Sequence, residues 1–216
     1  MSSAVLFCMA FVKVFLELHD RYQCTVITLC SCFAIVLARE DYTKSGRQMN
    51  MTMAEMYAVS LYSFNMIYAH LNEDLRCGNL ASVSGYVSLL SSALSKYDGY
   101  DCTTPVYRGM KTTPDYARHA DPDAVVCFNG FTSTTPSQDI ASEFALNDSV
   151  DPCIFIFTAV GGCEISKLCW NENEQEILFP PGLMFTITSS NVVHGLRHVE
   201  MRQVFSTIEF GVVIHS

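Results

Sequence analysis

Charged side chains are scarce in this chain of 216 residues, of which 16% are charged and 50% are apolar. A chain of this composition can fill a sizeable core and does not belong to the disordered class. Its length fits one domain, or one domain with an appendage. Basic residues are fewer than acidic ones, with 13 Lys and Arg against 22 Asp and Glu. The lack of a basic stripe argues against nucleic acid as a partner, whereas the net charge of −9 suits a cationic target.

The sequence also lacks the C-x-x-C pairs of zinc and redox sites. Its 10 cysteines are scattered along the chain. The most closely spaced pair, Cys30-Ser31-Cys32, has one residue between the cysteines and therefore matches neither the zinc motif nor the redox motif. We therefore expect no metal. Disulfides would form if the chain is secreted, but the spacing gives no pairing.

Neither of the two apolar runs that open the chain has all the features of a signal peptide or a membrane-spanning helix. Ala4–Leu18 has no basic start and contains Lys13 and Glu17. Cys24–Ala38 is uncharged but shorter than the roughly 17–25 residues that a spanning helix needs. We treat residues 1–40 as an appendage that serves as a signal, an anchor or extra helices.

The core is then residues 41–216. Two glycosylation sequons, Asn50-Met51-Thr52 and Asn147-Asp148-Ser149, slightly favour a secreted or membrane-associated location over a cytoplasmic one. Any membrane association would involve residues 4–38.

Helical periodicity dominates the first part of the core. Apolar residues spaced by three and four predict one amphipathic helix from Met53 to Arg76. A second helix is predicted from Ser82 to Lys96, with Val83 and Leu90 among its inward residues.

Strand patterns take over after Pro105. Val106–Met110 is predicted to be a short strand that carries a charge. Ala124–Phe128 and Phe131–Thr134, joined by Asn129-Gly130, predict a β-hairpin, since Asn-Gly favours the positive φ values of such turns.

A capping box follows, with Thr135 as the N-cap of a short helix that runs to about Leu146. This helix is predicted to bury Ile140, Ala141 and Phe144.

Three further segments complete the strand pattern. The continuous apolar run Cys153–Val160 predicts a central strand, and the alternation in Leu183–Thr188 predicts a half-buried one. Val199–Val213 is expected to supply one or two more. A chain in which helices come first and mostly antiparallel strands follow has the element order of an α+β fold.

Three groups of residues could carry chemistry. Arg108 sits on an apolar strand, where its planar fork would suit a phosphate or a carboxylate, and Gly109 would let a ligand approach the backbone. Pairing of Arg108 with a structural carboxylate is the alternative. Ser133 lies at a strand end before a helix, where its hydroxyl would bond a ligand or simply cap the backbone.

The third group is acidic. Glu174 and Glu176 run into the aliphatic residues 177–179 and a Pro-Pro-Gly stop, and in a strand they would project side by side. Such a pair is costly unless cations lie beside it. Glutamates one residue apart also arise by chance, and Glu172 with Glu174 matches the spacing equally well.

In this order, the three groups resemble the Arg–Ser–Glu signature of the arginine-specific mono-ADP-ribosyltransferases, the toxin-related family that includes vertebrate ecto-enzymes and clostridial toxins. The matching motifs are VYRGM (106–110), FNGFTSTT (128–135), ASEF (141–144) and NEQEILFPPG (173–182). The resemblance covers roughly residues 50–215. It implies an α+β fold with N-terminal helices packed on a core of two mostly antiparallel β-sheets.

The resemblance also implies roles for individual residues. Arg108 would hold the phosphates of NAD, Gly109 would let the backbone meet the nicotinamide amide, and Phe144 would pack near nicotinamide. Ser133 would orient the catalytic glutamate.

In the family, the aliphatic residues and the prolines follow directly after the Glu-x-Glu pair. This order identifies the pair as Glu174 and Glu176 and implies that Glu172 is a loop residue. Glu176 would then bond a hydroxyl of the nicotinamide ribose, and Glu174 would engage the guanidinium of a target arginine. Thr135 stands where the family usually has Ser, and we expect little effect because the hydroxyl is retained.

The implied activity is that of an NAD(P)-dependent protein-arginine ADP-ribosyltransferase, with NAD as substrate, no metal, and a protein with an exposed arginine as partner. Cleavage of the bond to nicotinamide develops oxocarbenium character on the ribose, which a fixed carboxylate stabilises. A second carboxylate would bind the protonated guanidinium and take its proton late in the attack. Two alternatives are an NAD glycohydrolase and an inactive member that acts as a binding module. Retention of Glu174 favours transfer, since hydrolysis needs no guanidinium binder.

Overall fold

In the computed structural model of this chain, the described residues are 49–63, 67–97, 100, 104–119, 124–169, 173, 175–205 and 213–215. Both apolar runs of the predicted appendage lie outside these residues, so a signal or anchor role for residues 1–40 stays a prediction. None of the described helices is long and apolar enough to cross a membrane.

Helices come first in the described chain and strands follow. The α-helices are α1 (Met53–Ser63), α2 (Tyr68–Arg76), α3 (Ser84–Leu94), α4 (Asp115–Arg118) and α5 (Gln138–Leu146), with 3-10 turns at Leu80–Ser82 and Ser166–Leu168. The strands are β1 (Val106–Met110), β2 (Val125–Phe128), β3 (Thr132–Thr134), β4 (Cys153–Thr158), β5 (Cys163–Glu164), β6 (Ile177–Phe179), β7 (Leu183–Val193), β8 (Leu196–Gln203) and β9 (Val213–His215).

The strands form two sheets. The larger has the order β1-β4-β8-β7-β2-β9 and the smaller the order β3-β6-β5. Only the β4–β8 and β2–β9 pairs are parallel among the described strands. The expectation of an α+β fold with two mostly antiparallel sheets is therefore confirmed.

The described residues divide into two compact units. One unit holds α1, α2, α3 and the 3-10 turn at Ser166–Leu168, and the other holds both sheets with α4 and α5. Within the second unit, the two sheets share one apolar core. Its largest side chains are Phe128, Phe155, Phe157, Phe179 and Phe185.

Most strand predictions are confirmed. The predicted strand Val106–Met110 is β1, and the run Cys153–Val160 contains β4, which lies between β1 and β8 as a central strand should. The half-buried strand predicted at Leu183–Thr188 continues to the end of β7. The strands β8 and β9 supply the two expected from Val199–Val213, with shifted bounds.

The predicted hairpin is wrong. Both of its strands exist, but β2 pairs with β7 and β9 in the larger sheet, whereas β3 pairs with β6 in the smaller one. Neither Asn129 nor Gly130 has the positive φ of a hairpin turn. The chain instead crosses from one sheet to the other here, because long-range pairing outweighs the local turn signal.

The predicted capping box at Thr135 is also wrong. Helix α5 starts at Gln138, and its N-cap is Ser137, whose hydroxyl accepts a hydrogen bond from Ile140 N at 3.3 Å. Thr135 cannot begin the helix, because its backbone is extended and paired with Tyr107.

The buried face of α5 also differs from the prediction. Ala141 is buried as predicted and Ala145 lies beside it, whereas Ile140 is only half-buried and Phe144 is 55% exposed. The two small residues Ala141 and Ala145 let the helix approach β1 closely. The side chain of Phe144 lies on a different, exposed face of the helix.

In the helical unit, the predicted helix from Met53 to Arg76 is two helices, α1 and α2. The apolar stripe continues across both, with Tyr57, Leu61, Leu71 and Leu75 buried. Of the other two residues of the stripe, Tyr68 is half-buried, and the residue at position 64 lies outside the described residues. The second predicted helix is α3, two residues shorter at each end, with its inward Leu90 buried.

A capping box that the sequence analysis missed starts α1. Glu55 accepts hydrogen bonds from Thr52 N at 2.7 Å and Thr52 Oγ1 at 2.8 Å, and Thr52 Oγ1 accepts one from Glu55 N at 3.2 Å. The same carboxylate accepts from Ser92 Oγ at 2.6 Å and pairs with Lys96 Nζ at 2.7 Å, near the end of α3. Burial alone would raise the pKa of Glu55, but these partners outweigh it and hold the pKa below its usual value.

Glu55→Ala should lower the free energy of unfolding by about 1–3 kcal/mol, because it removes the acceptor of a helix cap and of an interhelical link. Urea denaturation at neutral pH measures this loss. The contribution is present above the ordinary carboxyl pKa and should disappear as the pH falls through the lower folded value. Glu73→Ala is the control, since Glu73 makes only an exposed pair with Arg76 and hydrogen bonds at the surface. Equal effects of the two substitutions would contradict the assigned role of Glu55.

Candidate active site

Two backbone hydrogen bonds join the larger sheet to the smaller one. Tyr107 N donates to Thr135 O and Thr135 N donates to Tyr107 O, each at 2.8 Å. Tyr107 precedes Arg108 on β1, and Thr135 follows directly on β3. This joint therefore brings the predicted Arg108 and Ser133 together.

A side-chain contact strengthens this link. Arg108 Nη1 donates a hydrogen bond to the main-chain oxygen of Ser133 at 2.8 Å. Both residues are half-buried. In the part of the chain that the structure describes, no carboxylate forms an ion pair with Arg108. The pairing of Arg108 with a structural carboxylate is thus not observed among the described residues, and the binding of an anionic ligand by its guanidinium stays a prediction.

The glycine after Arg108 is required by helix packing. A Cβ at Gly109 would overlap the carbonyl oxygen of Ala141 and lie 3.0 Å from Ala145 N, both on α5. Because side chains alternate along a strand, α5 covers the face of β1 opposite to the Arg108 side chain. Close approach of a ligand to the backbone at Gly109 stays a prediction.

Phe144 belongs to that same helix and lies on its exposed side. Its ring lies 5.9 Å from Lys111 Nζ, a cation–π contact at the surface. A contact with nicotinamide stays a prediction from the resemblance alone.

The smaller sheet connects Ser133 to the acidic segment. In the β3–β6 pair, Ser133 lies opposite Leu178 and Thr134 opposite Ile177. The buried hydroxyl of Thr134 donates to Ile177 O at 2.8 Å. The chain just after Glu176 is thereby fixed to the Ser-Thr-Thr segment, a contact that the sequence analysis missed. The only feature of the sequence that indicates this contact is the position of Thr134 between two other hydroxyl residues, Ser133 and Thr135.

Glu176 itself is a buried carboxylate. It is 5% exposed and directly precedes β6. Continuing the β3–β6 register by one residue sets Glu176 opposite Thr135, which is the residue that pairs with Tyr107. The pairings of β1, β3 and β6 thus gather Arg108, Ser133 and Glu176 on one continuous path of backbone.

The other glutamate, Glu174, lies outside the described residues. The backbone between the two glutamates is not extended, because Gln175 has a φ of +49°. The side-by-side placement of Glu174 and Glu176 stays a prediction. Strand β6 begins only at Ile177, so the regular alternation does not extend back through Gln175.

A cysteine nucleophile has little support among the described thiols near the site. Burial raises the pKa of Cys153, on β4, to about 11, so this thiol stays protonated at neutral pH. No group of His, Cys, Asp and Glu among the described residues could hold a metal ion. The described candidate site contributes one guanidinium, of Arg108, and one buried carboxylate, of Glu176.

The model of the family described as NAD:arginine ADP-ribosyltransferase matches residues 24–207. The chain belongs to this family. The resemblance stated from the Arg–Ser–Glu motifs is therefore confirmed. The match begins within residues 1–40, in the second of the two apolar runs.

Individual members of the transferase family agree with this assignment. The protein Mav of Mycobacterium avium (strain 104), named as an NAD(+)–arginine ADP-ribosyltransferase, is 31% identical over 126 residues. That alignment covers 58% of this chain but only 15% of Mav, so the chain spans a small part of its relative.

Solved structures of the transferase family share the fold. Vis of Vibrio splendidus, solved in complex with agmatine, has a TM-score of 0.62 at 21% identity, covering 82% of this chain and 91% of Vis. Exoenzyme S of Pseudomonas aeruginosa, solved with a human 14-3-3 protein and carba-NAD, has a TM-score of 0.60 at 21% identity, with coverages of 86% and 95%.

Gly109→Ala should destabilise the protein by about 1–3 kcal/mol, because the added methyl group overlaps the backbone of α5, which cannot move as a side chain would. Chemical denaturation measures this loss. Ser142→Ala, on the same helix but away from Gly109, is the control and should change stability little. An unchanged midpoint for Gly109→Ala would contradict the packing of α5 on β1.

Proposed function

We propose that this chain transfers ADP-ribose from NAD to arginine side chains of target proteins and releases nicotinamide. The observation that carries the proposal is the path of backbone pairing from β1 through β3 to β6. It gathers an arginine without a paired carboxylate, Arg108, with Ser133 and the buried Glu176. Membership of the NAD:arginine ADP-ribosyltransferase family supports the same reaction.

Arg108 binds the phosphates of NAD in this proposal. Its half-buried guanidinium is oriented by the Ser133 carbonyl, which occupies one nitrogen and leaves other N–H donors for phosphate oxygens. A fixed guanidinium loses little freedom on binding, so it holds the dinucleotide in one orientation. Gly109 and Phe144 would contact the nicotinamide end.

Glu176 acts on the bond that breaks. Nicotinamide departs from C1′ of its ribose with the bonding electron pair, and positive charge develops on the ribose. A carboxylate that bonds a ribose hydroxyl stabilises this charge, and burial strengthens the effect because little water screens it. The contact of Thr134 with Ile177 O fixes the backbone beside Glu176, so the carboxylate needs little rearrangement during the reaction.

Glu174 receives the acceptor. A guanidinium is protonated at neutral pH and is a poor nucleophile, so a carboxylate must bind it and accept its proton late in the attack. The bond from C1′ to a guanidino nitrogen then forms as the proton leaves for Glu174. Agmatine, which is bound in the structure of Vis, offers the same guanidinium without a protein. A protein with an exposed arginine is the physiological acceptor that we propose.

The purified chain should release nicotinamide from NAD and form ADP-ribosyl-agmatine when agmatine is supplied. Mass spectrometry of agmatine and chromatography of nicotinamide measure the two products separately. Nicotinamide release without any modified agmatine would indicate an NAD glycohydrolase. A folded protein that releases no nicotinamide would indicate a binding module and refute the enzyme assignment.

Glu176→Gln should lower both nicotinamide release and transfer by about 10²–10³-fold, because it removes the charge that stabilises the ribose cation. Glu174→Gln should lose transfer but retain part of the hydrolysis, since water needs no guanidinium binder. Glu200→Gln, an exposed glutamate on β8, is the matched control and should leave both activities unchanged. Equal losses of both activities in the Glu174 and Glu176 variants would contradict the separate roles.

A further inference from the structure

The edge of the larger sheet at Gly109 offers two backbone groups to a ligand. β1 is the outermost strand of that sheet, and the described pairing along its free edge is limited to Tyr107 and Thr135. Because the N–H and C=O groups of alternate residues point to the same side of an antiparallel strand, those of Gly109 face this edge as well. A carboxamide, such as that of nicotinamide, carries the complementary acceptor and donor.

An exposed aromatic ring belongs to the helix that touches β1 at this glycine. A Cβ at Gly109 would overlap the carbonyl oxygen of Ala141, so α5 is in contact with the strand here. Phe144 follows Ala141 by three residues, which is nearly one helical turn, and its side chain is 55% exposed. The face of such a ring attracts cations and flat aromatic groups.

A positive charge lies beside that ring. Lys111 Nζ is 5.9 Å from the centroid of the Phe144 ring. Among the described residues, no carboxylate forms an ion pair with Lys111. The ammonium group of Lys111 therefore has an aromatic face, and no described counter-ion, as its neighbour.

The backbone that carries Lys111 is fixed. Its carbonyl oxygen accepts a hydrogen bond from Ser149 Oγ at 2.7 Å. Two residues later, Thr113 N donates to Asp151 O at 2.8 Å. When a ligand occupies the face of the Phe144 ring, the ammonium group can move aside only within the reach of its own side chain, so it stays close to the ligand.

We propose that Lys111 belongs to the NAD site and favours cleavage, because its positive charge lies beside the cationic nicotinamide ring. This inference rests on the proposed function, in which Gly109 and Phe144 contact the nicotinamide end. As the bond from C1′ breaks, its electron pair moves to the ring nitrogen, so nicotinamide becomes neutral while the ribose gains the positive charge. A cation beside the ring raises the free energy of the bound substrate but not that of neutral nicotinamide, and Glu176 stabilises the charge on the ribose.

The test compares two ligands that differ in the charge of the nicotinamide ring. Carba-NAD keeps the positive ring and resists cleavage, whereas the dihydronicotinamide ring of NADH is neutral. Lys111→Gln should bind carba-NAD about 5–10-fold more tightly than the wild type does, as expected for the loss of repulsion between two unit charges roughly 7 Å apart at a partly exposed site. Its affinity for NADH should not change. Calorimetry with the full chain measures both dissociation constants.

The rate of NAD cleavage is the second readout. Lys111→Gln should lower kcat for nicotinamide release by a factor of about 3–5 and lower KM for NAD as well, because repulsion in the bound substrate is lost. Lys111→Arg keeps the charge and should retain the wild-type values. Lys167→Gln removes an exposed lysine from the 3-10 turn at Ser166–Leu168. It is the matched control and should change neither ligand binding nor kcat. Circular dichroism establishes that each variant is folded.

Several results would overturn the inference. An unchanged ratio of the affinities for carba-NAD and NADH in Lys111→Gln would show that the charge does not lie beside nicotinamide. Equal weakening of both ligands would assign Lys111 to the phosphates instead, and a Lys111→Arg variant that behaves like Lys111→Gln would exclude an effect of charge. Folded Lys111→Gln that cleaves NAD with the kcat of the wild type would overturn this inference alone, whereas no nicotinamide release by the wild type would overturn the proposed function as well.

Discussion

The joint between Tyr107 and Thr135 is the constraint on which the candidate site depends. Two backbone hydrogen bonds of 2.8 Å connect β1 of the larger sheet with the end of β3 in the smaller one. Arg108 and Ser133 lie within two residues of this joint, and β3 passes the constraint to β6 and Glu176. Because these contacts are made by the backbone, the positions of the three candidate residues follow from sheet pairing rather than from flexible side chains.

Electrostatics explains why such rigidity is useful. A half-buried guanidinium and a buried carboxylate both cost free energy to remove from water. In the proposed function, the phosphates of NAD lie beside Arg108, and Glu176 stabilises the positive charge that develops on the ribose. The pairing of the two sheets fixes both charged residues in place. The stability of the core therefore offsets the free-energy cost of holding them there.

Sequence patterns predicted the strands well because alternation and apolar runs reflect burial directly. They failed where a long-range partner decided the outcome. Asn129-Gly130 has a strong local hairpin signal, yet β2 and β3 enter different sheets. Thr135 has a capping signature, yet its pairing with Tyr107 forces the N-cap to Ser137. Periodicity alone did not show that α5 would contact β1 through alanines and leave Phe144 exposed. The motif residues Arg108, Ser133 and Glu176 were identified by resemblance, and their connection needed the sheet register.

We propose that β1, β3 and β6 together form one NAD site. A crystal structure of the chain with carba-NAD, which resists cleavage, would show whether they do. We expect phosphate oxygens at the Arg108 guanidinium and a hydroxyl of the nicotinamide ribose within hydrogen-bond distance of Glu176. Carba-NAD bound away from both residues, with the guanidinium still bonded only to Ser133 O, would contradict it.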